Sequence, residues 1–251
     1  PPPYVGTMTS NPAIRIRDLD FRYAPELPLA LDSVRLVAGA GERWLLIGAN
    51  GAGKTTLLRV VGGRHMIDPG AVRVLGRPAF HDVTLSGEVA TLGGVFPFEA
   101  DVGVRHIVDG VKRADPGLRE RLIDVLGVDL DWSMARVSDG QRRRVQILLG
   151  LLRRPSVLLL DEVTTDLDVI ARQDLLAYLR EDAEQRGTTI LYATHIFDAL
   201  DDWATHLAYI VRGRVAWSGP LGEIDELVGL QSAGASAPLL RLVDRWLRRD
   251  R

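Results

Sequence analysis

Gly48-Ala49-Asn50-Gly51-Ala52-Gly53-Lys54-Thr55 is a run of small residues ending in one ammonium and one hydroxyl, and it fits the pattern G-x-x-x-x-G-K-[ST]. That composition suits a polyphosphate. Small side chains let the backbone curl until successive N–H groups point inward, a following helix adds partial positive charge, and Lys54 reaches the β- and γ-phosphates. Thr55 offers a hydroxyl to Mg²⁺, and Thr56 extends the same lining. A second feature lies at Asp161-Glu162, directly after the apolar run Val157-Leu158-Leu159-Leu160. Here Asp161 is suited to hold Mg²⁺ through water and Glu162 to orient or polarise an attacking water. Phosphoryl transfer rests on such positioning and charge neutralisation more than on covalent chemistry. Alone, an acidic pair after a strand is most often a solvated strand end; its weight comes from pairing with the glycine-rich loop.

Both features need a sheet to position them. Trp44-Leu45-Leu46-Ile47 is an unbroken apolar run ending at Gly48, as expected of a parallel strand buried on both faces, and a helix is predicted from Thr55 to Gly62. Alternation in Ile14 to Leu19 and in Val34 to Val37 predicts half-buried strands, with Pro25 and Pro28 between them and another short strand at Val72 to Leu75. From Gly103 to Arg154 the pattern turns helical, with Leu118, Leu122, Val125 and Leu126 on one face. Strands return at Val157 to Leu160, Thr189 to Tyr192 and Leu207 to Val211, separated by a helix at Val169 to Glu184. The alternation predicts an α/β fold around a mostly parallel central sheet. Ligands of such sheets gather at the C-terminal ends of the strands, where Gly48 and Asp161 fall.

Composition narrows the function classes. With 46% hydrophobic and 25% charged residues among 251, the chain is an ordinary globular one. Its net charge of −2 creates no global field for nucleic acid, so no nucleic-acid partner is expected and any basic surface must be local. Only Lys54 and Lys112 among the 31 basic residues are lysines. The absence of cysteine excludes disulfides, thiolate metal sites and cysteine nucleophiles. No apolar run approaches the roughly 20 residues that span a bilayer, and the start has no secretory signal, so a cytoplasmic location is expected. Residues 1–12 read as a disordered leader or tag remnant, with Met8 a candidate start. Ser232 to Ala237 sets off an amphipathic C-terminal helix within 232–251. Leu239, Leu240, Val243, Trp246 and Leu247 would line one face of it, with Arg241, Arg245, Arg248 and Arg249 around it. That face suits packing on its own domain or a dimer mate, or else an anionic membrane surface.

Arg136-Val137-Ser138-Asp139-Gly140-Gln141-Arg142-Arg143-Arg144-Val145 separates this chain from other phosphate-loop proteins. A helix is expected to begin here with Ser138 or Asp139 as N-cap and Val145, Leu148, Leu149 and Leu152 inward, while at least one of Arg142 to Arg144 lies on a solvated face. The run resembles the signature Leu-Ser-Gly-Gly-Gln of the ABC ATPases, the nucleotide-binding cassettes. Ser138, Gly140 and Gln141 match; Val137 and Asp139 depart.

The resemblance extends from about Ile14 to Pro220. It implies a phosphate-loop NTPase fold with a mostly parallel core, an antiparallel β portion and a helical subdomain at about 95–154, within one ATPase domain at 13–231. It also implies ATP and Mg²⁺ as cofactors and a homodimer with ATP at the interface. In the family, Ser138, Gly140 and Gln141 would close on the nucleotide held by the partner subunit. Tyr23, which by itself reads as a core tyrosine, would stack on adenine. His195, at the end of Tyr192-Ala193-Thr194-His195, would contact the γ-phosphate and join Glu162 and Lys54 as catalytic groups. Thr165-Asp166-Leu167-Asp168 matches the loop that communicates across the dimer. Glu99 aligns with the family's glutamine and would join Thr55 and Asp161 at the metal.

Three stretches, Ser138 to Gln146, Asp161 to Arg172 and Tyr192 to Asp198, are similar to one branch of the family: soluble ABC ATPases that include a yeast protein of the Ccr4-Not complex and a plant soluble subfamily. Val163 and Asp139 fit that branch. The arginine-rich, lysine-poor composition points to a high-GC bacterial source, so the yeast partner does not transfer. Three readings follow: a regulatory ATPase acting on a soluble partner, the ATPase subunit of a transporter with a separate membrane permease, and a chromosome-maintenance ATPase. The third fails, because the interval from Lys54 to Asp161 has no room for a long coiled coil.

Overall fold

The computed structural model describes residues 11–94, 101–112 and 114–250. Its centre is a six-stranded sheet in the order β10-β9-β3-β8-β7-β6, built from β3 (Arg43–Ile47), β6 (Val89–Gly93), β7 (Val157–Asp161), β8 (Thr189–Ala193), β9 (His206–Val211) and β10 (Arg214–Pro220). All neighbours run parallel except β10, which pairs antiparallel with β9 at the edge. A second, antiparallel sheet has the order β2-β1-β4-β5, from β1 (Ile14–Phe21), β2 (Leu31–Ala38), β4 (Val72–Val74) and β5 (Arg77–Pro78). The expected mostly parallel core and antiparallel β portion are both present.

Continuous apolar strands predict burial on both faces, and the side chains divide accordingly. Trp44, Leu46, Val157, Leu159, Leu191, Ala193, Ala208 and Ile210 pack with α1 (Lys54–Val61) and the antiparallel sheet. The alternate residues Leu45, Ile47, Leu158, Leu160, Tyr192, Leu207 and Tyr209 face the other core. That second core receives α2 (Val104–Asp109), α3 (Pro116–Leu126), α4 (Asp139–Leu151), α5 (Val169–Arg186), α6 (Asp225–Ser232) and α7 (Pro238–Arg249). Leu122 and Leu126 of α3 are fully buried, and Leu118 and Val125 pack partly buried beside them.

The C-terminal helix starts at Pro238, whose fixed φ favours a first helical position. Its buried stripe is Leu239, Leu242, Val243 and Trp246, with Leu247 partly buried, whereas Leu240 is 46% exposed. Leu242 therefore replaces Leu240 in the expected face, since positions 239, 242, 243 and 246 recur at helical spacing. The stripe is packed into the chain's own core, and the arginines 241, 245, 248 and 249 stay outside. The buried Tyr209 hydroxyl donates to Trp246 O (3.1 Å) and Asp250 Oδ2 (2.6 Å), and Trp246 Nε1 donates to Glu226 Oε2 at 2.7 Å. Among the described residues no helix is long and apolar enough to cross a membrane.

Candidate functional site

The glycine-rich loop leaves β3 at Gly48 and enters α1 at Lys54. Three of its glycines have positive φ: 154° at Gly48, 79° at Gly51 and 112° at Gly53. Close approach explains two of them, because a Cβ on Gly48 would lie 2.3 Å from Ile210 O and one on Gly53 2.9 Å from Ala30 O. The third, Gly51, has nothing within 4 Å of its would-be Cβ and faces open space. Gly213 braces the loop by donating to Ala52 O at 2.9 Å. The first turn of α1 has neither a side-chain cap nor an acidic residue, so its leading N–H groups are left to an anion. Lys54 Nζ spans the loop, donating to Gly48 O (2.7 Å) and Ala49 O (3.1 Å). Burial pulls its pKa below the ordinary lysine value, against the opposing pull of Glu162 and Asp161.

The carboxylates come from β7. Thr55 Oγ1 donates to Asp161 Oδ1 at 3.1 Å, joining a residue of α1 to the end of a strand more than a hundred positions away. Gly93 makes this join possible: with φ 135°, its Cα faces Asp161, where a Cβ would sit 2.3 Å from Asp161 O. Glu162 takes a left-handed φ of 52°, uncommon for a residue with a side chain, and its N–H donates to Ala193 O at 2.9 Å. One Glu162 oxygen, Oε2, lies 2.9 Å from His195 Nδ1 and accepts from the His195 backbone N–H at 3.3 Å. The predicted Lys54, Thr55, Asp161, Glu162 and His195 thus converge at the C-terminal ends of β3, β7 and β8.

Tyr23 is half exposed, so its side chain is not in the core. Its hydroxyl lies 3.0 Å from Thr56 Oγ1, and its ring stands edge-on to Phe21 and His65. Ser138 caps α4 in a capping box, its Oγ accepting from Gln141 N at 3.2 Å while Gln141 Oε1 accepts from Ser138 N at 2.9 Å. Gly140 packs on the turn after Glu162, where a Cβ would come within 2.6 Å of Asp166 O. Ser138, Gly140 and Gln141 make no hydrogen bond to the 48–55 loop among the described residues. Glu99 lies outside the described residues.

Arg143 and Arg144, with side chains 15% and 22% exposed, reach toward the 165–168 turn. Arg144 donates to Leu126 O at 3.2 Å and pairs with Asp168. Two further residues of the site were not anticipated. Thr164, fully buried, shares a 2.6 Å hydrogen bond with the Tyr192 hydroxyl and pins the turn that follows Glu162. A tyrosine inside a buried parallel strand is the signal, since its hydroxyl must find a partner.

A hydroxyl and a carboxylate beside an uncapped helix N-terminus suit Mg²⁺ and a polyphosphate: Mg²⁺ keeps waters and phosphate oxygens and takes one or two protein ligands. A family model described as ABC transporter matches residues 31–165. ABC transporter I family member 21 of Arabidopsis thaliana is 49% identical, over 95% of this chain and 86% of the plant protein. CCR4-associated factor 16 of Saccharomyces cerevisiae is 35% identical, over 83% of this chain and 78% of its own length. Among solved structures, an ATP-binding subunit of an ABC transporter superposes with TM-score 0.76 at 26% identity, covering 92% of this chain and 98% of that one. A dimeric post-hydrolysis cassette bound to ADP and Pi gives TM-score 0.69 at 20% identity, covering 83% and 98%, and speaks for the fold alone. The chain belongs to the ABC transporter family of ATP-binding cassettes and is an ABC-type ATPase.

Proposed function

We infer that this cassette binds and hydrolyses MgATP in a site completed by a second copy, and passes the resulting motion to a soluble partner. The observation that carries this reading is the separation within one chain. Lys54, Thr55, Asp161 and Glu162 gather at one place, while Ser138 and Gln141 cap a different helix that also carries Gly140, and none of these three hydrogen-bonds that loop among the described residues.

In this reading the loop N–H groups and Lys54 bind and orient the phosphates, and Tyr23 offers its exposed ring to the base. Thr55 and Asp161 hold Mg²⁺, which when bound neutralises charge on the phosphate oxygens, with Glu99 a further candidate ligand. Glu162 orients the attacking water and accepts its proton at Oε2. His195, 2.9 Å away through Nδ1, holds that carboxylate in place and lies beside the γ-phosphate position. Ser138, Gly140 and Gln141 close on the nucleotide of the facing copy.

The relative named a CCR4-associated factor favours a regulatory ATPase, whereas the relative named an ABC transporter I family member and the likeness to a transporter's ATP-binding subunit favour the second reading, a subunit working with a separate membrane chain. Glu162→Gln removes the carboxylate that serves the water and preserves its size. With ATP it is expected to accumulate as a dimer on size exclusion; a monomer at saturating ATP defeats the composite-site reading. Proteins captured by that trapped dimer separate the two roles, a soluble one supporting regulation and an integral membrane one transport.

A further inference from the structure

The geometry points to Arg143 as a positioning residue that ties the chain's own water-orienting Glu162 to the helix it lends to the facing copy; this rests on the composite site proposed above. Arg143 lies on the first turns of α4, five residues after Ser138. Its guanidinium donates to Gly94 O at 3.0 Å and to Gln146 Oε1, and both Nε and Nη2 stand 3.5 Å from Asp166 Oδ2. Gln146, itself buried, donates through Nε2 to Gly93 O at 3.3 Å. Arg143, 15% exposed, and the buried Gln146 place polar groups on the inward side of α4, where they are costly unless they meet partners.

The cluster joins three parts of the site. Gly93 is the residue whose missing Cβ lets β6 lie against Asp161. Asp166 belongs to the turn that starts at Glu162, where Thr165 donates from Oγ1 to Glu162 O at 3.1 Å. The carbonyl of that same Asp166 leaves Gly140 no room for a Cβ. Asp166 is therefore gripped on two sides, by Arg143 at its carboxylate and by Gly140 at its carbonyl.

The contacts of Arg143 differ in tightness. Arg143 donates to Gly94 O at 3.0 Å and also to Gln146 Oε1 on its own helix, so it moves with α4 and the end of β6. It holds Asp166 at 3.5 Å, long for a charge-assisted bond, which leaves the Glu162 turn free to approach. Tightening of that pair shifts the Ser138 end of α4 and the Glu162 turn together. Closure on the partner's nucleotide and placement of the chain's own Glu162 are then one event, and hydrolysis at the two composite sites is coupled through each chain.

The test compares the full-length protein with Arg143→Ala and Arg143→Lys. Readouts are phosphate release against ATP concentration, binding of a fluorescent ATP analogue to dilute monomer, and thermal melting. For Arg143→Ala the expected result is a roughly tenfold lower rate at saturating ATP, a change from sigmoidal to hyperbolic dependence on ATP, and monomer affinity within about twofold of the original. Arg143→Lys restores a charge for Asp166 without the fork that also reaches Gly94 and Gln146, and recovers part of the rate. An Arg143→Ala protein that keeps both rate and sigmoidal shape overturns the proposal, as does one whose monomer affinity falls as far as its rate. If Arg143→Ala does not fold, Asp166→Asn carries the same expectations. A wild-type curve that is hyperbolic and independent of protein concentration overturns the composite site itself, which distinguishes that failure from failure of the Arg143 relay.

Discussion

The N-termini of α1 and α4 are both offered to phosphate in the proposed dimer, yet they are built in opposite ways. The start of α1 has Gly53 at the cap position, no side-chain cap and no acidic residue in its first turn. The start of α4 has Ser138 and Gln141 in a reciprocal capping box and Asp139 in its first turn. One terminus keeps its N–H groups vacant for a ligand at a cost in stability, and the other satisfies them from its own side chains. A ligand therefore meets a preformed site at α1, whereas at α4 it must displace an existing hydrogen bond and approach a carboxylate. Tight binding belongs to the first and conditional, reversible closure to the second.

The largest break in that contrast is Lys54→Ala, which removes the loop's only side-chain cation. Phosphate release is expected to fall about a hundredfold or more, the scale for losing one preorganised charge, with melting nearly unchanged. Ser138 sharpens the contrast from the other side. Ser138→Ala loses the cap and is expected to destabilise the fold by about 1 kcal/mol, read as a thermal shift of roughly 2–4 °C. Ser138→Asp keeps the cap and holds stability, but places an anion where the partner's phosphate closes, so the ATP-dependent dimer is lost. Equal behaviour of the two variants in both measurements removes the distinction between cap and ligand.

The smallest effect is a pH dependence at a third helix start. Asp168 caps α5 by accepting from Ala171 N at 3.0 Å, and that backbone hydrogen bond, aided by Arg144, holds its pKa below the ordinary aspartate value. A carboxylate whose folded pKa is depressed stabilises the fold above its unfolded pKa, and the benefit is lost as pH falls from about 4 through the folded value. Asp168→Asn keeps a cap but is expected to flatten the stability profile in that acid range, measured by melting across pH.

What was legible in the sequence follows from how local each signal is. Gly48 to Thr55 and the strand ending in Asp161-Glu162 each carry their chemistry and their element within a few residues, so placement and type agree with the structure. The edge strands β6 and β10 escaped, because Val89–Gly93 is only half buried and Arg214–Pro220 mixes polar residues with glycine and proline; pairing with β7 and β9 makes them strands. The sequence did not single out Arg143 and Arg144 among the three adjacent arginines, because their partners, Gly94, Leu126, Asp166 and Asp168, lie far along the chain. A helix wheel orders residues about one axis and is blind to what the fold brings to that face. In the same way Leu240 and Leu242 have equal hydrophobicity, and only the position of the core chose between them.

The left-handed backbone at Glu162 sets folding and chemistry at odds. A residue with φ of 52° is best served by glycine or asparagine, and a glutamate there costs on the order of 1 kcal/mol. On the proposed reading, a search for stabilising substitutions that scores stability alone would discard the carboxylate first. The surrounding turn, pinned by Thr164 to Tyr192 and by Glu162 N–H to Ala193, is what keeps an unfavourable residue where the reaction needs it. Strengthening that turn from behind, rather than relaxing its tip, is the route by which a more robust cassette would retain its turnover.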